Sequence, residues 1–124
     1  MAQPVVPGTL NGPIIDAGQA LSRTLPLAGL FVVGLIMPAA WTPAVVSVQC
    51  SLDGNYFYDL YERSGSLQRF SVVAGTVIPV NPQLFWMAQF IKIISGVPLQ
   101  IPQTEARQFI TITRTSLSSS QSDD

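Results

Sequence analysis

The stretch Ala44–Tyr61, AVVSVQCSLDGNYFYDLY, decides the fold class. In its first half Val46, Val48 and Cys50 fall on one side of an extended chain, and Ser47, Gln49 and Ser51 on the other. A period of two is the mark of a strand with one buried face. Asp53-Gly54-Asn55 supplies a turn, and Tyr56-Phe57-Tyr58-Asp59-Leu60-Tyr61 resumes with aromatic strand formers. The two halves read as an antiparallel hairpin. Tyr56, Tyr58 and Leu60 share one face of the returning strand, and Phe57, Asp59 and Tyr61 the other. One of these rows is expected to be exposed or to meet a partner.

The same grammar extends in both directions. Upstream, Gly29–Met37 (GLFVVGLIM) is a continuous apolar run of strand length, which predicts a central strand buried on both faces. Gly34, the β-branched valines and Pro38 argue against a helix there. Shorter strands are expected at Ile14-Ile15 and over Leu21–Leu25. Downstream, Ser64-Gly65-Ser66 turns the chain into Leu67–Val73, where Phe70 and Val72 share a face, and Ala74-Gly75 leads into Thr76–Val80. Asn81-Pro82 pairs a capping residue with proline at the first helical position, so Gln83–Met87 is expected to form one helical turn. Ala88–Ile94 (AQFIKII) is a core strand ended by Ser95-Gly96, and Val97–Glu105 is a proline-containing loop. Arg107–Arg114 (RQFITITR) is the last strand.

About eight short strands, with turn signals roughly every ten residues and almost no helix, predict an all-β chain: a single antiparallel, jelly-roll-like β-sandwich. Residues 13–115 are assigned to the sandwich domain. Residues 1–12, MAQPVVPGTLNG, read as an extended N-terminal arm, since Met1, Val5, Val6 and Leu10 among Pro and Gly cannot build a local core. Residues 116–124 read as a flexible Ser-rich tail.

Composition narrows the function. The 124 residues contain no histidine, one cysteine (Cys50), one lysine (Lys92) and seven carboxylates, and only 10% of the chain is charged. Without histidine the usual proton shuttle and the commonest metal ligand are missing, so neither a catalytic residue nor a metal or cofactor site is expected. So low a charge is expected of a surface largely covered by other subunits. The six basic residues are scattered through the chain with a net charge of −1, which argues against nucleic acid as a partner. No charge falls between Arg23 and Asp53, but Pro26, Pro38 and Pro43 break that stretch. Leu27–Met37, its longest apolar piece, is about half the length of a membrane span, so no membrane partner is expected.

Individual residues carry competing readings. Cys50, in phase with Val46 and Val48, reads as a small core side chain rather than a nucleophile, having no histidine to activate it. Asp53, Asp59 and Glu62 lie on or beside one hairpin, and two carboxylates at the right spacing could cleave a glycoside. The stronger reading makes Asp53 a turn residue, and Asp59 and Glu62 solvent-facing. Trp41, Trp86, Tyr56, Tyr58 and Tyr61 could build a sugar-stacking platform, against ordinary core and edge packing. Lys92, between two isoleucines, reads as a side chain snorkelling over a sheet surface.

Three segments, MPAAWTPAVVSVQCSLDGNYFYDLYERSG (37–65), VNPQLFWMAQFIKIISG (80–96) and RQFITITR (107–114), carry a resemblance. Together, over roughly Gly29–Arg114, the chain resembles a group of small tailed-bacteriophage virion proteins, of the capsid decoration, cement or head-fibre-base type. Their Ser-Gly at the end of the penultimate strand is matched by Ser95-Gly96, while the preceding position, often basic in that group, is Ile94 here. The resemblance implies a β-sandwich without catalytic residues, made in the host cytoplasm and seated on the capsid exterior of the virion.

The resulting expectation is a non-enzymatic virion structural protein that bridges capsomers as a decoration or cement protein, with the major capsid protein as partner. The subunit is expected to be a homo-oligomer, trimer or dimer. Its partner contacts are assigned to Pro4, Val5, Val6, Pro7 and Leu10 of the arm and to Tyr56 and Tyr58. The alternative is a carbohydrate-binding or adhesin module of a virion fibre or tail, with carbohydrate as the partner.

Overall fold

The computed structural model describes residues 8–97 and 99–115. Nine β-strands and one 3-10 helix make up its regular structure: β1 (Gly8–Ile15), β2 (Leu25–Pro26), β3 (Phe31–Ile36), β4 (Val46–Ser51), β5 (Tyr58–Asp59), β6 (Arg69–Phe70), β7 (Val77–Pro79), the 3-10 helix (Pro82–Phe85), β8 (Phe90–Ser95) and β9 (Arg107–Arg114). One sheet has the order β1-β9-β3-β7. The second has the order β2-β8-β4-β5, with β6 also on β4. Every strand pairing is antiparallel.

Strands β5 and β6 form one edge. Gln49 stands opposite Asp59 and Cys50 opposite Tyr58. Continuing that register would put Tyr61 and Glu62 opposite Ser47 and Val46. Arg69 and Phe70 stand there instead, so eight residues, Tyr61–Gln68, are looped out of a single edge strand. The loop is closed at its base by Gln68 N donating to Leu60 O at 2.9 Å. Counting β5 and β6 as one leaves eight strands, paired β1 with β9, β2 with β8, β3 with β7 and β4 with β5/β6. That nested pairing, shared between two facing sheets, is a jelly roll.

The core lies between the sheets. Val46 and Val48 of β4, Ile91 and Ile93 of β8, Val32 and Leu35 of β3 and Phe109 of β9 form it, together with Ile15, Leu27, Met37 and Phe85. The inward phase predicted for β4 is the observed one, with Cys50 packed against the same cluster. Val32 and Leu35 both point inward although an odd spacing separates them. A register irregularity between Val32 and Gly34 resets the phase, as a β-bulge does.

The first sheet corrects two expectations. The run 29–37 is central in hydrogen bonding but not buried on both faces, because the side of β3 away from the core (Phe31, Val33, Ile36) is only half-buried. The segment read as an arm over residues 1–12 is a strand over its second half: Gly8–Asn11 pair with Ile110–Thr113 of β9. Leu10 thereby packs against the core rather than reaching away from it. Thr9 and Asn11 alternate with it on the exposed face, a pattern that the intervening Gly and Pro hid in the sequence. Pro4, Val5, Val6 and Pro7, like the tail 116–124, lie outside the described residues.

Leu21–Leu25 contributes little ladder: Leu21 makes an isolated bridge to Ile94, and only Leu25 enters β2. The helical turn is present in shorter form. Asn81 Oδ1 accepts from Gln83 N at 3.1 Å ahead of Pro82, the capping arrangement read from Asn-Pro.

Candidate functional site: an aromatic groove at one end of the sandwich

The turn after β4 is built by two side chains. Ser51 Oγ accepts from Asp53 N at 3.2 Å and from Gly54 N at 2.8 Å. Asp53 Oδ1 accepts from Asn55 N at 2.8 Å, Tyr56 N at 3.0 Å and Ser51 Oγ at 3.1 Å. The backbone amides of Tyr56 and Asn55, with the Ser51 hydroxyl, hold the Asp53 carboxyl below the usual carboxylate range. The chain is thus returned to the sheet edge with Tyr56 and Tyr58 in place. Phe57, on the opposite side, receives the Lys92 ammonium over its ring at 4.3 Å, which is where that snorkelling side chain ends. Asp59 accepts from Gln49 Nε2 at 3.0 Å.

Because Tyr58 is opposite Cys50, the two side chains leave the sheet on the same side, toward the interior. Cys50 is covered and Tyr58 is not: Tyr56 and Tyr58 are each 69% exposed. The first sheet does not extend over them. Its edge strand β7 ends at Pro79, and the chain turns away through the 3-10 helix. The interval between the β4–β5 hairpin and the segment 84–88 is a groove of about 350 Å³. Leu60, Leu84 and Ala88 line it, Cys50 closes its floor, and Leu52, Tyr56, Tyr58 and Met87 stand at the mouth. Burial pushes the Cys50 thiol up to about 11, so it stays protonated and unreactive near neutral pH.

The row Tyr56, Tyr58, Leu60 therefore faces the groove, while Phe57 lies on the outer sheet surface. The five-residue aromatic platform does not assemble. Trp41 packs edge-on to Phe109 with ring centroids 5.4 Å apart and donates its Nε1–H to Ala44 O, which makes it a core residue. Tyr61 belongs to the looped-out hairpin, and Trp86 is exposed beside Met87 without lining the groove. Of the three carboxylates considered for glycoside cleavage, Asp53 and Asp59 border the groove and Glu62 does not. Glu62 accepts from Ser64 Oγ at 3.2 Å in the looped-out hairpin. Among the described residues no cluster of His, Cys, Asp and Glu could hold a metal ion, and no helix is long and apolar enough to cross a membrane.

The sequence did not single out the outer surface of the first sheet. Gly34 and Ile36 of β3 stand opposite Ile112 and Ile110 of β9, and Val77 of β7 is opposite Ile36. These residues, with Phe31, face away from the core. Val77 is 60% exposed, Gly34 is buried, and Phe31, Ile36, Ile110 and Ile112 are half-buried. The strand RQFITITR holds the signal: Phe109, Thr111 and Thr113 are the buried row, and the isoleucines are outside. Thr111 is accepted inside because its hydroxyl donates to Gly12 O at 2.9 Å.

Fold and site together define a small antiparallel jelly-roll domain with an apolar, tyrosine-rimmed groove at one end and an apolar outer sheet face. No family model, curated protein or solved structure matches the chain.

Proposed function

We propose that this chain is a non-enzymatic structural subunit of a bacteriophage virion, bound to the capsid exterior, where it stabilises the shell by bridging capsomers. The observation that carries the reading is the apolar outer face of the first sheet. An antiparallel sheet in a free-standing domain turns one face to the core and a polar face to water. Here that second face carries Phe31, Ile36, Val77, Ile110 and Ile112, in a chain with only thirteen Asp, Glu, Lys and Arg residues. A face of this kind suits the major capsid protein or a second subunit, since burying it removes apolar area from water at about 25 cal/mol per Å². Contacts repeated over a shell then add by avidity.

The second reading is a carbohydrate-binding module, favoured by the exposed Tyr56 and Tyr58 beside two carboxylates. Sugar faces stack on such rings. Against it stand the leucines and Met87 that line and rim the groove, and the engagement of Asp53 Oδ1 by the turn.

One comparison separates the two: DNA release on heating and adsorption rate, for particles with and without this protein. A cement protein lowers the temperature of DNA release when it is absent and leaves adsorption unchanged. Normal heat resistance with collapsed adsorption would replace this reading by the carbohydrate one.

A further inference from the structure

Each of the two sheets ends in two edge strands, and among the described residues three of these four edges are protected. Strand β2 is two residues long and includes Pro26. The β5/β6 edge is two short pieces interrupted by the looped-out hairpin. Strand β7 is three residues long and ends at Pro79. Short length, proline and interruption are devices that keep an edge from pairing with another chain. Strand β1 is the exception. It is eight residues long, and no residue from Gly8 to Ile15 is charged.

Its own chain covers only part of that edge. Arg23 N donates to Ile14 O at 2.8 Å, and a register irregularity between Asn11 and Ile14, which holds Gly12 and Pro13, separates this covered part from the rest. Over Gly8–Asn11 one side of the strand pairs with Ile110–Thr113 of β9, and among the described residues no strand pairs with the other side. Gly8, Thr9 and Asn11 are exposed. Leu10 packs against the core cluster and is still only half-buried, because the sheet stops beside it.

An antiparallel edge is complementary to itself. Rotation about a two-fold axis normal to the sheet brings the donors and acceptors of one copy to the acceptors and donors of the other. The rotation carries outer face to outer face, so each residue stands opposite one of like orientation. With Leu10 on the axis, Leu10 is opposite the partner's Leu10 and Thr9 is opposite the partner's Asn11. The two half-buried leucines then cover each other on the core side, and on the outer side no like charges meet.

We propose that Gly8–Asn11 is a dimerisation edge, paired antiparallel with the same residues of a second copy of this chain, so that two four-stranded sheets become one of eight strands. This goes beyond the capsid reading and does not depend on it. Thr9 and Asn11 stand beside Ile112 and Ile110 of β9, so the apolar outer faces of the two sheets become continuous across the seam. The ladder is short, which puts the contact among the small, reversible interfaces.

Sedimentation equilibrium of the full chain at concentrations up to about 1 mM tests it. The parent chain is expected to show a monomer–dimer equilibrium. T9K/N11K and T9E/N11E each set like charges opposite one another across the seam, and each is expected to weaken dimerisation about tenfold. Their mixture sets a cation opposite an anion, so heterodimers are expected where neither variant dimerises alone. T9K/N11E does the same within one homodimer and is expected to associate at least as well as the parent. Thr9 and Asn11 are exposed, so the variants keep their fold, which circular dichroism verifies. A monomeric parent chain overturns the proposal, as does association indifferent to T9K/N11K. So does a loss in both like-charge variants that their mixture leaves unrestored. Weakening by T9K/N11E equal to that by T9K/N11K also overturns it, because the pairing of Thr9 with the partner's Asn11 would then be absent.

Discussion

The side-chain amide of Gln103 is bonded to both backbone groups of Thr42: Thr42 N donates to Oε1 at 2.9 Å, and Nε2 donates to Thr42 O at 3.0 Å. A side chain thus reproduces the two-bond exchange of an antiparallel strand pair between loops 61 residues apart. Nε2 also donates to Ser95 Oγ at 2.8 Å, and Oε1 accepts from Arg107 Nε at 3.1 Å. The backbone of Gln103 meets Gly18 and Gln19 in the same way, through Gly18 N and Gln19 O. Gln103 is wholly buried with its side-chain amide fully engaged, and it ties three loops to the end of β8.

Replacing Gln103 by alanine is therefore expected to cost about 3 kcal/mol, because it strands the two Thr42 backbone groups and the Ser95 hydroxyl without partners. Thr42→Ala keeps both backbone bonds and is expected to cost under about 1 kcal/mol. Urea unfolding of the two variants checks the pair. Equal losses would mean that the Gln103 amide is not the organising group.

Gly96 closes the same region. Its φ is +100°, and an added Cβ would sit 2.3 Å from Leu99 O and 2.7 Å from Ile101 N. Those are backbone atoms and cannot rotate aside, so Gly96→Ala is expected to cost more than about 3 kcal/mol. Gly75, at φ +72° with nothing within 4 Å of an added Cβ, has only the conformational cost, about 1 kcal/mol for alanine. Thermal melts of both variants separate crowding from backbone preference.

Cys50 gives a pH dependence with a definite sign. Its thiol is pushed up to about 11 from an ordinary value of about 9, so the folded state holds the proton more tightly than the unfolded chain does. The stability from this group is fully present below pH 9 and is lost as pH rises from about 9 to about 11. Cys50→Ala is expected to flatten that alkaline decline. In the native protein at pH 8, maleimide labelling of Cys50 should run roughly a hundredfold slower than in the unfolded chain.

Asp53 contributes in the opposite direction. Its carboxyl is held low by the amides it caps, so this contribution is present above the ordinary carboxylate value and fades as pH falls through the folded one. Asp53→Asn keeps an acceptor but not the charge, and is expected to reduce the acid-side slope of stability while leaving alkaline behaviour unchanged. A pH series of midpoint temperatures for parent and variant reads this directly.

The looped-out hairpin should be removable. Joining Leu60 to Arg69 restores one continuous register on β4, so deletion of residues 61–68 is expected to shift stability by no more than about 1 kcal/mol. Retention of the β-type circular dichroism spectrum and a cooperative melt is the measurement. An unfolded product would show that the hairpin supports the edge rather than interrupting it.

The features legible in the residue order are those set by short-range physics. The alternation in Val46–Ser51 could be read because a strand buries every second side chain. The turn at Asp53-Gly54-Asn55 and the cap at Asn81-Pro82 are chosen by residues that bond their own neighbours. The all-β class and the tyrosine row facing one way followed from those local rules.

The remaining features depend on partners distant in the chain. Gly8–Asn11 became a strand because β9, about a hundred residues away, offers them a ladder. Val32 and Leu35 share the core side because a bulge against β9 resets the phase of β3. Gln103 was one polar residue in a loop until Thr42 and Ser95 came within bonding distance of it. The groove exists because β7 ends at Pro79 and leaves Tyr58 uncovered at the sandwich edge. A strand end, a bulge against a distant partner and a bond across 61 residues have no local signature, since their energies arise only when the sheets meet.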